Sequence, residues 1–208
     1  MNQIELTPQI LIEGYRNGAF PMAIPEMGND IYWFRPDPRG ILPLESFHIS
    51  KSLARTIKKQ PFQMLINRNF SAVIEACSCP RADSDDTWIS QDIKDVYTEL
   101  HHLGYAHSIE CYKDDELVGG LYGVALGAVF FGESMFHIKT DASKVALYYL
   151  VKHLRQLKFK LLDIQWVTSH LKTFGAIEIP RFRYEQLLVN ALKSQPEWST
   201  EFLFEEKG

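Results

Sequence analysis

Apolar and polar positions recur along this chain in blocks that read as an ordered succession of helices and strands. Ile10, Leu11, Gly14 and Tyr15 share one helical face behind Thr7-Pro8, an N-cap with a favourable first helical residue, and Gly18 supplies a stop. Residues 18–22 then read as an apolar loop, Ile31–Phe34 as a strand, Pro36–Gly40 as a rigid turn and Ile41–Leu44 as a second strand. Ser50 caps a helix to about Lys59 with Leu53 and Ile57 inward. Pro61 marks the expected boundary between a small domain, 1–60, and a larger one, 61–208.

Beyond it the period changes often. Phe62–Ile66 reads as a strand, Asn69 caps a helix over Phe70–Ala76, and Cys79–Asp86 is a polar loop. Thr87-Trp88-Ile89 returns to the core. Ser90 opens a longer helix whose Ile93, Val96, Tyr97 and Leu100 fall on one face, with Gly104 ending it. Strands follow at His107–Tyr112, Glu116–Ala125 and Val129–Phe136, then a helix over 142–157 with Asp141 as its expected N-cap. A strand at Leu161–Gln165, a short helix ending at Gly175, a strand at Ile177–Ile179 and a helix over Phe182–Leu192 complete the series. The predicted class is α+β, with a mixed, largely antiparallel sheet. Its meander followed by crossovers is the order of a GCN5-related acyltransferase (GNAT) domain.

Composition leaves this picture intact: 208 residues, 46% hydrophobic and 23% charged, suit a globular protein. No apolar run approaches the ~18 residues that span a bilayer, and the first ten residues lack the regions of a secretory signal. Three cysteines, with Cys77 and Cys79 too close for an ordinary bridge, point to reduced thiols and a cytoplasmic location. Charge adds one feature. Against a net charge of −4, residues 137–183 hold nine Lys or Arg and three acids, and Lys51, Arg55, Lys58 and Lys59 form a second basic segment. Acids gather around Asp83–Asp95. One basic face on an acidic protein suits a limited polyanion contact, although a solvated helix face has the same composition.

Candidate chemistry lies in the last third. Asp163 and Gln165, two apart on a strand, share a face. A carboxylate there can accept from the glutamine amide and fix which way its oxygen points. Glu133 interrupts an apolar strand, which is costly unless the acid is paired or working. It reads as a general base, a binder of a cationic group, or a buried partner for Lys144 or an arginine. Gly119, Gly120 and Gly123 on the preceding strand leave room for something to approach the backbone. No CxxC pair, HExxH or P-loop occurs, so neither a metal nor a cofactor is expected. A coenzyme A site is also not expected, because residues 135–144 contain no glycine and place an aspartate at the helix start.

The segments GYRNGAFP (14–21), RPDPRGILPLESFHIS (35–50), ELVGGLYGVALG (116–127), FGESMF (131–136), LLDIQ (161–165) and FGAIEIPR (174–181) closely resemble leucyl/phenylalanyl-tRNA–protein transferases. With TWI, LGYAHSIE and ASK between them, the likeness spans nearly the whole chain. It implies an enzyme moving Leu, Phe or Met from aminoacyl-tRNA to the N-terminal Arg or Lys of proteins, which marks them for degradation by the N-end rule. Asp163 and Gln165 then fall at the catalytic pair and Glu133 at an acidic substrate contact. Tyr15, Trp88 and Tyr97 fall at aromatic positions around the tRNA 3′ adenosine. Leu121, Phe130, Met135 and Leu150 fall around the pocket for the transferred side chain. Thr168 stands where some members have Asn near the adenosine, and Met22 stands where the family usually has Trp. The expected partners are the acceptor end of aminoacyl-tRNA and the protein substrate, with no membrane, and the chain is expected to be a monomer. A catalytically silent binding module on the same fold is the alternative.

Overall fold

The computed structural model describes residues 6–28, 30–79 and 87–202. Most of the polar loop expected over 79–86, with its acids, lies outside them. α1 (Pro8–Arg16) begins as expected, the Thr7 hydroxyl accepting the Ile10 N–H at 3.3 Å. The apolar loop expected next is instead a strand, β1 (Phe20–Ile24), which pairs antiparallel with β2 (Asp30–Phe34) in a separate two-stranded ribbon. Pro21 is tolerated there because a two-stranded ribbon consists only of edges.

Thirteen further elements among the described residues build the body. β3 (Arg39–Ile41) and α2 (Lys51–Lys59) precede β4 (Gln63–Ile66), α3 (Phe70–Ser78) and α4 (Gln91–His102). The meander is β5 (Ala106–Lys113), β6 (Glu116–Leu126) and β7 (Val129–His137), followed by α5 (Ala142–Gln156) and β8 (Leu161–Gln165). A short α6 (Ser169–Lys172), β9 (Ile177–Ile179) and α7 (Arg181–Leu192) close the described chain. The seven-stranded sheet runs β4-β5-β6-β7-β8-β3-β9, with only β7 and β8 parallel. The strand expected at 41–44 is therefore shorter, starts earlier, and inserts between β8 and β9. The boundary expected at residue 60 does not separate the sheet from what precedes it.

Alternation along the strands sorts the core into two layers. Tyr122, Val124 and Phe131 face α1, α3, α4 and α7 on one side, while Leu121, Phe130 and Leu162 face α2 and α5 on the other. The glycines of β6 serve this packing. A Cβ at Gly119 would meet the Ala142 Cβ at 2.5 Å, and one at Gly123 would meet the Phe131 carbonyl at 2.2 Å. What approaches this backbone is the protein's own helix and neighbouring strand.

Two irregularities position the residues of interest. Opposite β6, Gly132 faces Gly123 and Ser134 faces Tyr122, so Glu133 is an extra residue in β7. Such a bulge re-aims a side chain and is common beside functional sites. The second lies in the pairing of β3 with β8, where Gly40 faces Gln165 and Ile41 faces Asp163. The parallel β7–β8 pairs end at Phe131 and Asp163, although both strands run on. They part at the level of Glu133 and Gln165.

Candidate active site

Asp163 is fully buried in the middle of β8 and carries a complete set of donors. Its Oδ1 accepts from Arg39 Nε and from the Gln165 backbone N–H, both at 2.9 Å. Its Oδ2 accepts from Arg39 Nη2 and from the Tyr184 hydroxyl, both at 2.6 Å. A carboxylate has about four lone-pair sites, so none remains for a substrate. The bond expected from the Gln165 side-chain amide to Asp163 is not formed; Asp163 instead accepts from the Gln165 main chain.

Arg39, 1% exposed, is fixed on every side. Its guanidinium lies between the rings of Phe20 and Tyr184, 4.8 and 4.6 Å from their centroids, and its Nη1 donates to the Gly18 carbonyl at 3.0 Å. Both Arg39 and Tyr184 escaped the sequence reading. A buried acid in LLDIQ demands a cation, which is a usable signal. Nothing local indicates that the cation sits in the Pro-Asp-Pro-Arg-Gly turn or that the phenol comes from α7.

Held by its N–H, Gln165 adopts a left-handed backbone, φ +58°, which a residue with a side chain adopts only at a cost. The next amide, Trp166 N–H, turns back to the Ile164 carbonyl at 2.6 Å. Gly40 makes this turn possible, since a Cβ there would lie 2.8 Å from the Trp166 carbonyl carbon. Gly40→Ala is accordingly expected to push the turn away from β3. Activity should fall by at least tenfold, while the melting temperature drops by only a few degrees. Circular dichroism melts and a turnover assay check both.

The Gln165 side chain reaches Glu133, its Nε2 donating to Oε1 at 3.4 Å. Glu133 also accepts from the Tyr15 hydroxyl at 2.6 Å and from the Tyr97 hydroxyl at 3.3 Å, and the two phenols contact each other. Burial pushes the Glu133 carboxyl up to about 7; the Tyr15 and Tyr97 hydrogen bonds oppose this, and the Asp163 charge adds to it. Burial likewise holds both phenols well above the usual tyrosine range, so they remain donors. Among the described residues neither Lys144 nor an arginine forms a salt bridge with Glu133; Lys144 bonds Asp141 at 2.8 Å. Asp141 is not the expected side-chain cap. It sits at φ +66°, its carboxylate bonded to Lys144 and Thr56.

The structure brings Tyr15, Tyr97, Glu133, Asp163 and Gln165 together. It turns the two tyrosines inward, fully buried with their hydroxyls on Glu133, so their rings offer no open stacking face. Trp88 packs beside that layer, its carbonyl accepting the Ala23 N–H. Leu121, Phe130 and Leu150, with Met135 packed against them, lie together on the opposite face of the sheet. Thr168 is exposed and caps α6, its hydroxyl accepting the Leu171 N–H at 3.2 Å. Trp166, next to Gln165 in the chain, is exposed and packs edge-on against Phe20. A surface groove of about 600 Å³ lined by Phe62, Met64, Tyr112 and Phe202 contains none of these site residues. Among the described residues no group of three acids, histidines or cysteines could hold a metal.

This arrangement offers a carboxyl that titrates at about 7, a side-chain amide bonded to it through Nε2, and a rigid buried ion pair beside them. The family described as leucyl/phenylalanyl-tRNA protein transferase matches residues 41–189, and its N-terminal domain matches residues 4–37. A leucyl/phenylalanyl-tRNA–protein transferase of Rhodopseudomonas palustris strain TIE-1 is 50% identical over 92% of this chain and 85% of that protein. Its namesake from strain HaA2 is 48% identical over 91% and 84%. Among solved structures, L-PGS from Bacillus licheniformis aligns with a TM-score of 0.47 at 12% identity, over 75% of this chain and 64% of that one. The C-terminal domain (DUF2156) of a putative lysylphosphatidylglycerol synthetase from Agrobacterium fabrum aligns at 0.41 and 9% identity, over 91% and 58%. Neither structural likeness is close enough to carry an argument. The sequence matches are, and the chain belongs to the leucyl/phenylalanyl-tRNA protein transferase family.

Proposed function

We propose that this chain transfers Leu, Phe or Met from the 3′ end of aminoacyl-tRNA to the α-amine of a protein beginning with Arg or Lys. The observation that carries the reading is the Gln165–Glu133 contact, held where β7 and β8 part, in a chain of this family. The reading includes a GCN5-related fold for the larger part, a monomer acting in the cytoplasm, and a product destined for degradation under the N-end rule. Leu121, Phe130, Met135 and Leu150 would receive the transferred side chain. Trp88 and Thr168 would lie near the terminal adenosine.

An aminoacyl ester is already activated, so the enzyme's tasks are placement and stabilisation of charge in the tetrahedral transition state. With Nε2 committed to Glu133, Gln165 Oε1 accepts an N–H of the attacking amine and aims its lone pair at the ester carbon. Glu133, near neutrality, is suited to hold the cationic end of the acceptor or to take the proton that the amine sheds. α2 exposes Lys51, Arg55, Lys58 and Lys59, a sequence-independent contact for tRNA phosphates.

The pH dependence separates the groups. An ionised Glu133 makes the rate rise with pH through about 7, and the acceptor amine adds a second rise near ~8. Glu133→Gln should lose the first rise and keep the second. The linked stability runs the other way. A carboxyl whose folded pKa is raised contributes stability at low pH that is lost as pH climbs through about 7. Glu133→Gln should therefore gain melting temperature relative to the parent between pH ~5 and ~8.

Incubation with labelled leucyl-tRNA and a peptide beginning with Arg tests the reaction. Label in the peptide is expected. Label that stays bound to protein while remaining on tRNA would mean a binding module, and label taken only from acetyl-coenzyme A would mean a different acyltransferase.

A further inference from the structure

We infer that Tyr184 is a positioning residue for the transfer reaction: its hydroxyl, given to Asp163, holds the strand end that presents the Gln165 amide. The inference rests on the reaction proposed above. Tyr184 stands in the first turn of α7, 1% exposed, far from Gln165 in sequence and touching it only through Asp163.

Asp163 divides its work between two oxygens. Oδ1 holds the Gln165 N–H and thereby the left-handed turn, at 2.9 Å. Its direction depends on how the carboxylate is rotated, which the Arg39 fork sets in plane and the Tyr184 hydroxyl sets from the Oδ2 side at 2.6 Å. A bidentate arginine fixes a plane well but permits rocking about the axis between the two groups. A third, short donor on Oδ2 removes that freedom. The Tyr184 ring also covers one face of the Arg39 guanidinium and packs over Gly18, so one side chain braces both members of the pair. Burial and the Asp163 charge keep the phenol protonated, a donor throughout the working range.

Loss of the hydroxyl alone should loosen the Gln165 turn while leaving substrate surfaces untouched. Tyr184→Phe keeps the ring on Arg39 and removes only the O–H. Its kcat for leucine transfer is expected to fall about tenfold, with KM for leucyl-tRNA within about twofold of the parent. Amide exchange at Gln165, followed by NMR on the full chain, is expected to quicken. Leu188→Ala, a packing deletion on the same helix with no contact to Asp163, should lower the melting temperature and leave both readouts at parental values. Three results overturn the inference: parental kcat in Tyr184→Phe, a lowered kcat with an unchanged Gln165 amide, or the same two changes in Leu188→Ala. A parent that transfers nothing sinks the proposed reaction instead, and the Gln165 amide still reports whether the hydroxyl holds the turn.

Discussion

Arg39→Leu is expected to cost about 3–5 kcal/mol of folding stability, because it strands the Asp163 carboxylate in the core. Both partners of the 2.6 Å pair are essentially without solvent contact, so water cannot replace the lost cation. Two donors would remain, the Tyr184 hydroxyl and the Gln165 N–H, and neither carries charge. For a domain with a total of ~5–15 kcal/mol the loss is severe, and urea unfolding should show a lower midpoint at an unchanged slope. The double replacement Arg39→Met, Asp163→Leu separates stability from function. An apolar pair of similar volume commonly restores what the broken ion pair loses. It cannot hold the Gln165 N–H, so the double variant is expected to refold and to remain inactive.

Gln165→Ala carries the larger expected effect on turnover. It removes the amide that bridges Glu133 and the incoming amine, while the main-chain bond to Asp163 stays available. Losing one pre-aimed hydrogen-bonding group in a transition state typically costs about 10²–10³ in kcat. KM for leucyl-tRNA should change little, since the side chain contacts the reacting centre and not the body of the tRNA. A fall in kcat with parental melting temperature is the expected pattern. Near-normal turnover at saturating substrate would remove Gln165 from the mechanism and leave placement to Glu133 alone.

The sequence carried the element order from β4 to α7 because each element there keeps its own hydrophobic period between clear punctuation. It carried less of what depends on distant pairing. β1 was hidden because Phe20-Pro21-Met22 has no alternation, and it becomes a strand only by pairing with β2. The insertion of β3 between β8 and β9 joins segments more than a hundred residues apart, which no local pattern encodes. Within the site, residue types were legible and directions were not. An acid amid apolar residues identified Glu133, but the bulge that aims it arises from register. Tyr15 and Tyr97 were visible as aromatics, yet their hydroxyls turn inward onto that acid. Gln165 was expected to lie on the same strand face as Asp163, and the left-handed turn at its own residue sends its side chain to Glu133 instead.

Where the leucine goes distinguishes transfer from binding and from hydrolysis. N-terminal sequencing or tandem mass spectrometry of an Arg-initiated acceptor, after reaction with leucyl-tRNA and this protein, reads that directly. A peptide bond from leucine to the arginine α-amine, absent when the acceptor is N-acetylated, is the predicted result. An unmodified acceptor with leucine released to water, or leucine on a lysine side chain, would contradict it.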